Sequence, residues 1–313
     1  MISLARCSVV LGIVGQLLLV GCRTPPPKPP SCKALRATCG PTGQDDCCRT
    51  LPVPGGTFKR SYDGIDFLDP KFPATVSDFY LDKYEVTVGR FRTFVSAGLG
   101  TQARPPAAGA GAHPKIAGSG WRSTWNVSLA PNTAALAAAL KCHAAYQTWT
   151  DFAGDNENKP VNCLDWYTAF AFCAWDGGRL ATEAEWNYAA AGGDQQRYYP
   201  WSNPPRSTLI DDSYAVYCGG SCGLRSVGTK SPKGDGRWGQ SDLGGNAWEW
   251  TLDWNTGAYP MPCVDCADLT PSPYRAFRSG SNDDIAATLR SAVRHVYYPT
   301  YHGVVGVRCA RSR

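Results

Sequence analysis

The chain has 313 residues, 43% of them hydrophobic and 12% aromatic, which is enough apolar material for a sizeable core and excludes a disordered protein. Thirty-three glycines and 24 prolines beside only 18% charged residues exclude a helical bundle and predict much turn and loop. A net charge of +5 with no basic stripe excludes a nucleic-acid-binding surface.

Residues 1–21 read as an export signal. Arg6 supplies a positive start, and residues 9–20 are mostly apolar yet short for a bilayer span. The segment ends in Leu19-Val20-Gly21-Cys22, which resembles a bacterial lipobox. Cys22 is therefore expected to carry lipid as the first mature residue and to anchor the chain to a membrane of the bacterial cell envelope. Arg23 after it implies the outer membrane or periplasmic face. Residues 22–31 form a Pro-rich tether, extended and semi-rigid. Residues 32–50 hold Cys32, Cys39, Cys47 and Cys48, in a piece too short to fold without cross-links. Residues 51–313 make up the main domain.

Of the 14 cysteines, Cys7 leaves with the signal and Cys22 takes lipid, so twelve remain. In an oxidising compartment these read as disulfides. Spacing favours Cys218 with Cys222 and Cys263 with Cys266. A zinc site built from those four thiols is the competing arrangement.

Residues 57–62 and 79–82 are expected as strands. Apolar positions 88, 91, 94 and 95 give residues 86–95 a helical face. Residues 98–120, rich in Gly, Ala and Pro, form a long surface loop, and residues 132–140 an alanine-rich helix. Residues 164–175 are apolar nearly all round, as in a buried helix, which Gly177-Gly178 ends. Thr182-Glu183-Ala184-Glu185 is a capping box that opens a helix closing at Gly192-Gly193. Short strands and loops follow. In Asp242-Leu243-Gly244-Gly245-Asn246-Ala247-Trp248-Glu249-Trp250, two glycines and an asparagine require a tight turn. Tryptophans at 248, 250 and 254 then alternate with acids at 249 and 253, which is strand periodicity. On spacing alone this is a Trp-anchored core strand with solvated acids; a turn with free carbonyls flanked by carboxylates also has the hard oxygens that calcium takes.

Gly245-Asn246-Ala247-Trp248-Glu249-Trp250 resembles the signature turn of the formylglycine-generating enzyme (sulfatase-modifying factor) family. The likeness continues, in family order, through Val53-Pro54-Gly55-Gly56-Thr57-Phe58, Phe79-Tyr80-Leu81-Asp82-Lys83-Tyr84-Glu85-Val86-Thr87, Pro160-Val161-Asn162-Cys163 and Gly178-Arg179-Leu180-Ala181-Thr182-Glu183 to Gly306-Val307-Arg308-Cys309. It implies one α+β domain with a C-type-lectin-like architecture and much irregular chain. It also implies a Cys173–Cys309 bridge, which leaves Cys142 with Cys163 by elimination.

In that family two cysteines between an Arg-Gly-Gly-Ser-Trp-like block and the final strand bind copper and oxidise a sulfatase cysteine to formylglycine; paired thiolates suit copper(I). Here the matching block begins at Phe277-Arg278-Ser279-Gly280-Ser281, and no cysteine lies between Cys266 and Cys309. Copper is therefore not expected. The resemblance further implies calcium on Asp242, Gly245, Ala247 and Glu249. It places Arg278, Ser281, Arg290, Arg294 and Tyr301 at a pocket suited to an anionic or carbohydrate-like group, or to a protein partner. Pairing of these arginines with Asp283 and Asp284 is the alternative. The four histidines read as structural or surface residues. The expected function is a lipid-anchored, non-oxidase binding or structural module. The alternatives are a formylglycine-generating-type oxidoreductase with rearranged residues, such as Cys263 and Cys266, and a metal-dependent enzyme of another kind.

Overall fold

The computed structural model describes residues 27–219 and 222–313. The signal segment, Cys22 and the start of the tether lie outside the described residues. Along the chain come β1 (Thr50–Val53), β2 (Gly56–Lys59), β3 (Pro73–Val76), β4 (Phe79–Asp82), α1 (Val88–Ser96), α2 (Thr133–Ala139) and α3 (Trp166–Trp175). Then follow β5 (Arg179–Leu180), α4 (Glu183–Ala190), β6 (Trp248–Trp254), β7 (Arg275–Arg278), β8 (His295–Tyr297), β9 (Val305–Gly306) and β10 (Cys309–Ser312). One sheet has the order β1-β4-β10-β5, a second the order β8-β7-β6-β9, and β2 pairs with β3 as a separate ribbon. The architecture is α+β, with irregular chain over most of residues 97–165 and 191–247.

Helix starts follow local chemistry. Thr87, Asn132 and Asp165 cap α1, α2 and α3 by accepting from Arg90, Ala135 and Thr168 backbone N–H groups. At α4 the reciprocal box forms between Thr182 and Glu185. Strand β2 runs Gly56–Lys59 and stops short of the expected residue 62, because Ser61 takes φ 45° and turns the chain away. The helix α3, apolar on every side, sits in the main core with Phe91, Phe94, Trp121, Trp149, Trp250 and Phe277 around it. A second core lies between the β2–β3 ribbon and α4, with Phe58, Phe79, Leu81, Trp186 and Leu243.

Six disulfides join the described cysteines, and none of those cysteines is free. The four expected pairs form, and the extension closes as Cys32–Cys48 and Cys39–Cys47. With its sulfurs in disulfides, the zinc arrangement of Cys218, Cys222, Cys263 and Cys266 has no thiolates to offer.

The end of the tether is docked on the domain and does not extend away from it. Ser31 is 1% exposed; its N–H donates to Asp176 Oδ1 at 2.9 Å and its hydroxyl accepts from Arg90 Nε at 3.2 Å. Arg90 also bonds Asp82 (2.8 Å) and Asp176 (2.6 Å), and Arg311 bridges the same two acids. This buried four-charge network ties β4, the end of α3, β10 and the N-terminal segment into one unit. Each charge has an opposite partner within hydrogen-bond reach, the condition under which burial is tolerated.

Candidate functional site

The Gly-Gly-Asn turn delivers β6 into the centre of the second sheet. Asp242, Gly245 and Asn246 all have positive φ (58°, 97° and 62°). A Cβ on Gly245 would lie 2.4 Å from the Val216 carbonyl oxygen, so only glycine fits. Beneath the turn sits Glu85, which accepts from Asn246 Nδ2 (2.8 Å) and from the Ala247 N–H (2.9 Å). Glu85, within the Phe79–Thr87 motif, is the anchor of the turn.

The acids of β6 are not solvated, because both faces of the strand are buried. Glu249 is 0% exposed and accepts from Arg308 Nη2 at 2.8 Å and from Trp186 Nε1 at 2.7 Å. Asp253 accepts from the N–H groups of Glu183 (2.8 Å) and Asp268 (2.7 Å), while burial and the Glu183 charge push its carboxyl up to about 7. Trp254 of β6 and Trp166 of α3 hold a cation between them: the Arg275 guanidinium lies 3.5 Å from the Trp166 ring centre and 3.4 Å from that of Trp254.

Asp242 and Gly245 lie in the turn, with Ala247 just after it and Glu249 on the strand that it opens. Asp242 Oδ2 accepts from the Gly228 N–H (2.6 Å), and the Gly245 carbonyl accepts from Ser279 Oγ (3.1 Å). Among the described residues no three His, Cys, Asp or Glu side chains are grouped to hold a metal ion. The implied calcium set differs in kind, since two of its four oxygens are main-chain carbonyls. Glu85, Asp242 and Glu249 act on one another through space with Arg308 among them. Burial together with its two acidic neighbours holds the Glu85 carboxyl well above its ordinary range.

Of the five residues expected at a pocket, Arg278 and Arg294 share Tyr259 as a neighbour, and the other three have partners of their own. Arg278 is 0% exposed and bonds Glu183, Ser61 Oγ (3.0 Å) and the Val293 carbonyl (2.9 Å). Ser281 donates to Asp284 Oδ2 (2.6 Å). Arg290 reaches Asp66 (2.5 Å), Arg294 lies over the Tyr259 ring (4.1 Å), and Tyr301 packs on Tyr297 (4.0 Å). Arg278 and Arg290 thus find acids from distant segments, Glu183 and Asp66, and not Asp283 or Asp284. An open polar cavity of about 300 Å³ lies one residue beyond Ser281, lined by Asn282 with Tyr146, Gln147, Lys159, Leu224 and Arg225. Lys159 and Arg225 belong to no motif; they lie beside the Pro160-Val161-Asn162-Cys163 and Cys218–Cys222 segments.

The profile of the "Sulfatase-modifying factor enzyme 1-like domain" family matches residues 36–313. The chain belongs to that family. It is 29% identical over 292 residues to a "Formylglycine-generating enzyme" of Thermomonospora curvata, covering 83% of this chain and 92% of that protein. It is 31% identical over 220 residues to a Mus musculus protein named "Inactive C-alpha-formylglycine-generating enzyme 2", covering 64% and 67%. The solved structure of PvdO from Pseudomonas aeruginosa superposes with a TM-score of 0.56 at 19% identity, covering 84% of this chain and 94% of that one, a likeness of fold. Against this family background the cysteines stand out. The segment after Arg278 presents Asp283, Asp284 and Ala287 with no thiol, and all described cysteines are in disulfides.

Proposed function

We propose that this family member is an exported, lipid-anchored binding module without copper-oxidase activity. Its ligand, a carbohydrate-like or protein group bearing negative charge, is held at the Asn282 cavity by Lys159 and Arg225. The observation that carries the reading is the lack of any cysteine between Cys266 and Cys309, where the family's thiol pair belongs. Lys159, Arg225, Gln147 and Tyr146 around one opening supply cations, an amide and an aromatic face, the donor set that acidic or hydroxylated groups need. The runner-up is a formylglycine-generating-type oxidoreductase, favoured by the near full-length similarity to the Thermomonospora curvata enzyme.

The two readings separate in a mass-spectrometric assay. The mature chain, loaded with copper and given oxygen and a Cys-x-Pro-x-Arg peptide, is expected to leave the peptide cysteine intact while an active enzyme run in parallel converts it. Appearance of the aldehyde would sink the non-oxidase reading.

Calcium at Asp242, Gly245, Ala247 and Glu249 is a second part of the proposal, with a structural role: it would neutralise the carboxylate excess beneath the turn. Calcium added to chelator-treated protein is then expected to raise the melting temperature by several degrees, through mass action on the folded state. An unchanged melting curve would mean that Arg308 and protons alone balance the cluster.

A further inference from the structure

We propose that Cys263–Cys266 is a thiol–disulfide exchange site that takes electrons from the dithiol of an exported protein, a role independent of the ligand-binding proposal. The pair is a Cys-x-x-Cys motif, Cys263-Val264-Asp265-Cys266, in a surface loop. Cys263 is buried at 4% exposure, whereas Cys266 is half-buried. The Arg60 guanidinium, 1% exposed, points Nη1 at Cys266 Sγ from 3.7 Å. Among the described residues Arg60 has no carboxylate within ion-pair distance, and its Nε has no partner. Glu183, whose field it feels, is bonded to Arg278. A buried cation without an anion is costly. Reduction of the disulfide turns Cys266 into the missing anion, because a neighbouring cation lowers a thiol pKa.

The rest of the loop does not depend on the covalent bond. The Thr75 N–H donates to the Cys263 carbonyl (2.9 Å), the Asp265 N–H to the Thr75 carbonyl (2.8 Å), and the Ser77 N–H to Asp265 Oδ1 (2.7 Å). With the backbone pinned to β3 in this way, the two sulfurs stay neighbours after reduction. Met261 and Val264, 49% and 69% exposed, give an approaching protein an apolar lip.

The exchange balances in two steps. A partner thiolate attacks Cys266 Sγ, the bond to Cys263 breaks, and Cys263 leaves with the electron pair and takes a proton. The partner's second thiol, losing its proton, then attacks the partner sulfur of the mixed disulfide and releases Cys266 as a thiolate beside Arg60. The partner dithiol is oxidised to a disulfide and this pair is reduced, two electrons in all. A low-pKa leaving thiol speeds the second step.

The test uses the mature chain and dithiothreitol as the probe dithiol, with trapping of opened pairs by an alkylating agent and peptide mass spectrometry. The Cys263–Cys266 bridge is expected to open at roughly tenfold lower reductant than Cys218–Cys222, a loop almost as short whose cysteines are both exposed and, among the described residues, have no cation within hydrogen-bond reach. Arg60→Gln should abolish that gap and Arg60→Lys retain most of it. Should Arg60→Gln not fold, the wild-type alkylation rate decides: Cys266 is expected to ionise below the ordinary thiol value of about 8.5. Opening together with or after Cys218–Cys222, an unchanged gap in Arg60→Gln, or an ordinary Cys266 pKa would each overturn the proposal.

Discussion

Replacing Arg308 with methionine is expected to lower stability by about 3–5 kcal/mol, the scale for removing one partner of a buried ion pair. The guanidinium is 1% exposed and every one of its nitrogens is engaged. Nε and Nη2 hold Glu249 at 3.1 and 2.8 Å, Nη1 donates to the Asp82 and Lys83 carbonyls (3.0 and 2.6 Å), and Nη2 also donates to the Ser241 carbonyl (2.7 Å). Arg308 therefore joins β6 to the end of β4 and to the chain entering the Gly-Gly-Asn turn. Without it Glu249 is a buried charge beside Glu85 and Asp242, with no cation between them. In a domain of this size the loss corresponds to a fall in melting temperature of roughly 10 °C. The double variant Arg308→Met/Glu249→Gln should recover part of it, because the stranded charge is gone while the Asp82, Lys83 and Ser241 carbonyls still lack their Arg308 donors. Urea denaturation of the four proteins in this cycle measures the coupling. A single-variant loss below about 1 kcal/mol would show that the cluster takes up protons at little cost.

The helices and the turn were legible because their causes are local. Asn132, Asp165 and the Thr182/Glu185 box are caps that act within three residues, and positive φ at Gly245 and Asn246 follows from residue type. The short disulfides at 218/222 and 263/266 were legible for the same reason. The acids on β6 were not. Alternation marks Glu249 and Asp253 as sharing a face, but whether that face meets water depends on Arg308 and Trp186, 59 and 63 residues away. The partners of the arginines were no more legible: Arg278 and Arg290 lie in one block of sequence, yet their carboxylates, Glu183 and Asp66, come from segments 95 and 224 residues distant. Glu85 illustrates the converse, a residue whose importance lies entirely in the backbone N–H and amide groups that a remote turn presents to it. Local backbone chemistry can be read along the chain, whereas the partner of a buried charge is set by topology.

Removing the Cys173–Cys309 bridge by the double replacement Cys173→Ala/Cys309→Ala is expected to cost about 4–5 kcal/mol, the chain-entropy scale for a loop of that length. The bridge spans 136 residues and joins α3 to β10 where both sulfurs are 0% exposed. Cutting it lets the unfolded chain explore the whole separation between the central helix and the last strand, so the loss arises mainly in the unfolded state. Alanine avoids leaving two hydroxyls in the core but opens a small cavity, which adds to the loss. The matched control is Cys218→Ser/Cys222→Ser, whose ring closes over only four residues and whose sulfurs are exposed; its loss should be less than half as large. Urea denaturation of the three proteins gives the comparison. Two outcomes are informative about what holds α3 to β10. A loss near the entropic value makes the covalent bond the principal tie. A loss near 1 kcal/mol or below would assign that tie to the Arg90–Asp82–Asp176–Arg311 network, which joins the same two elements at 2.6 to 3.0 Å through the Asp176 carboxylate.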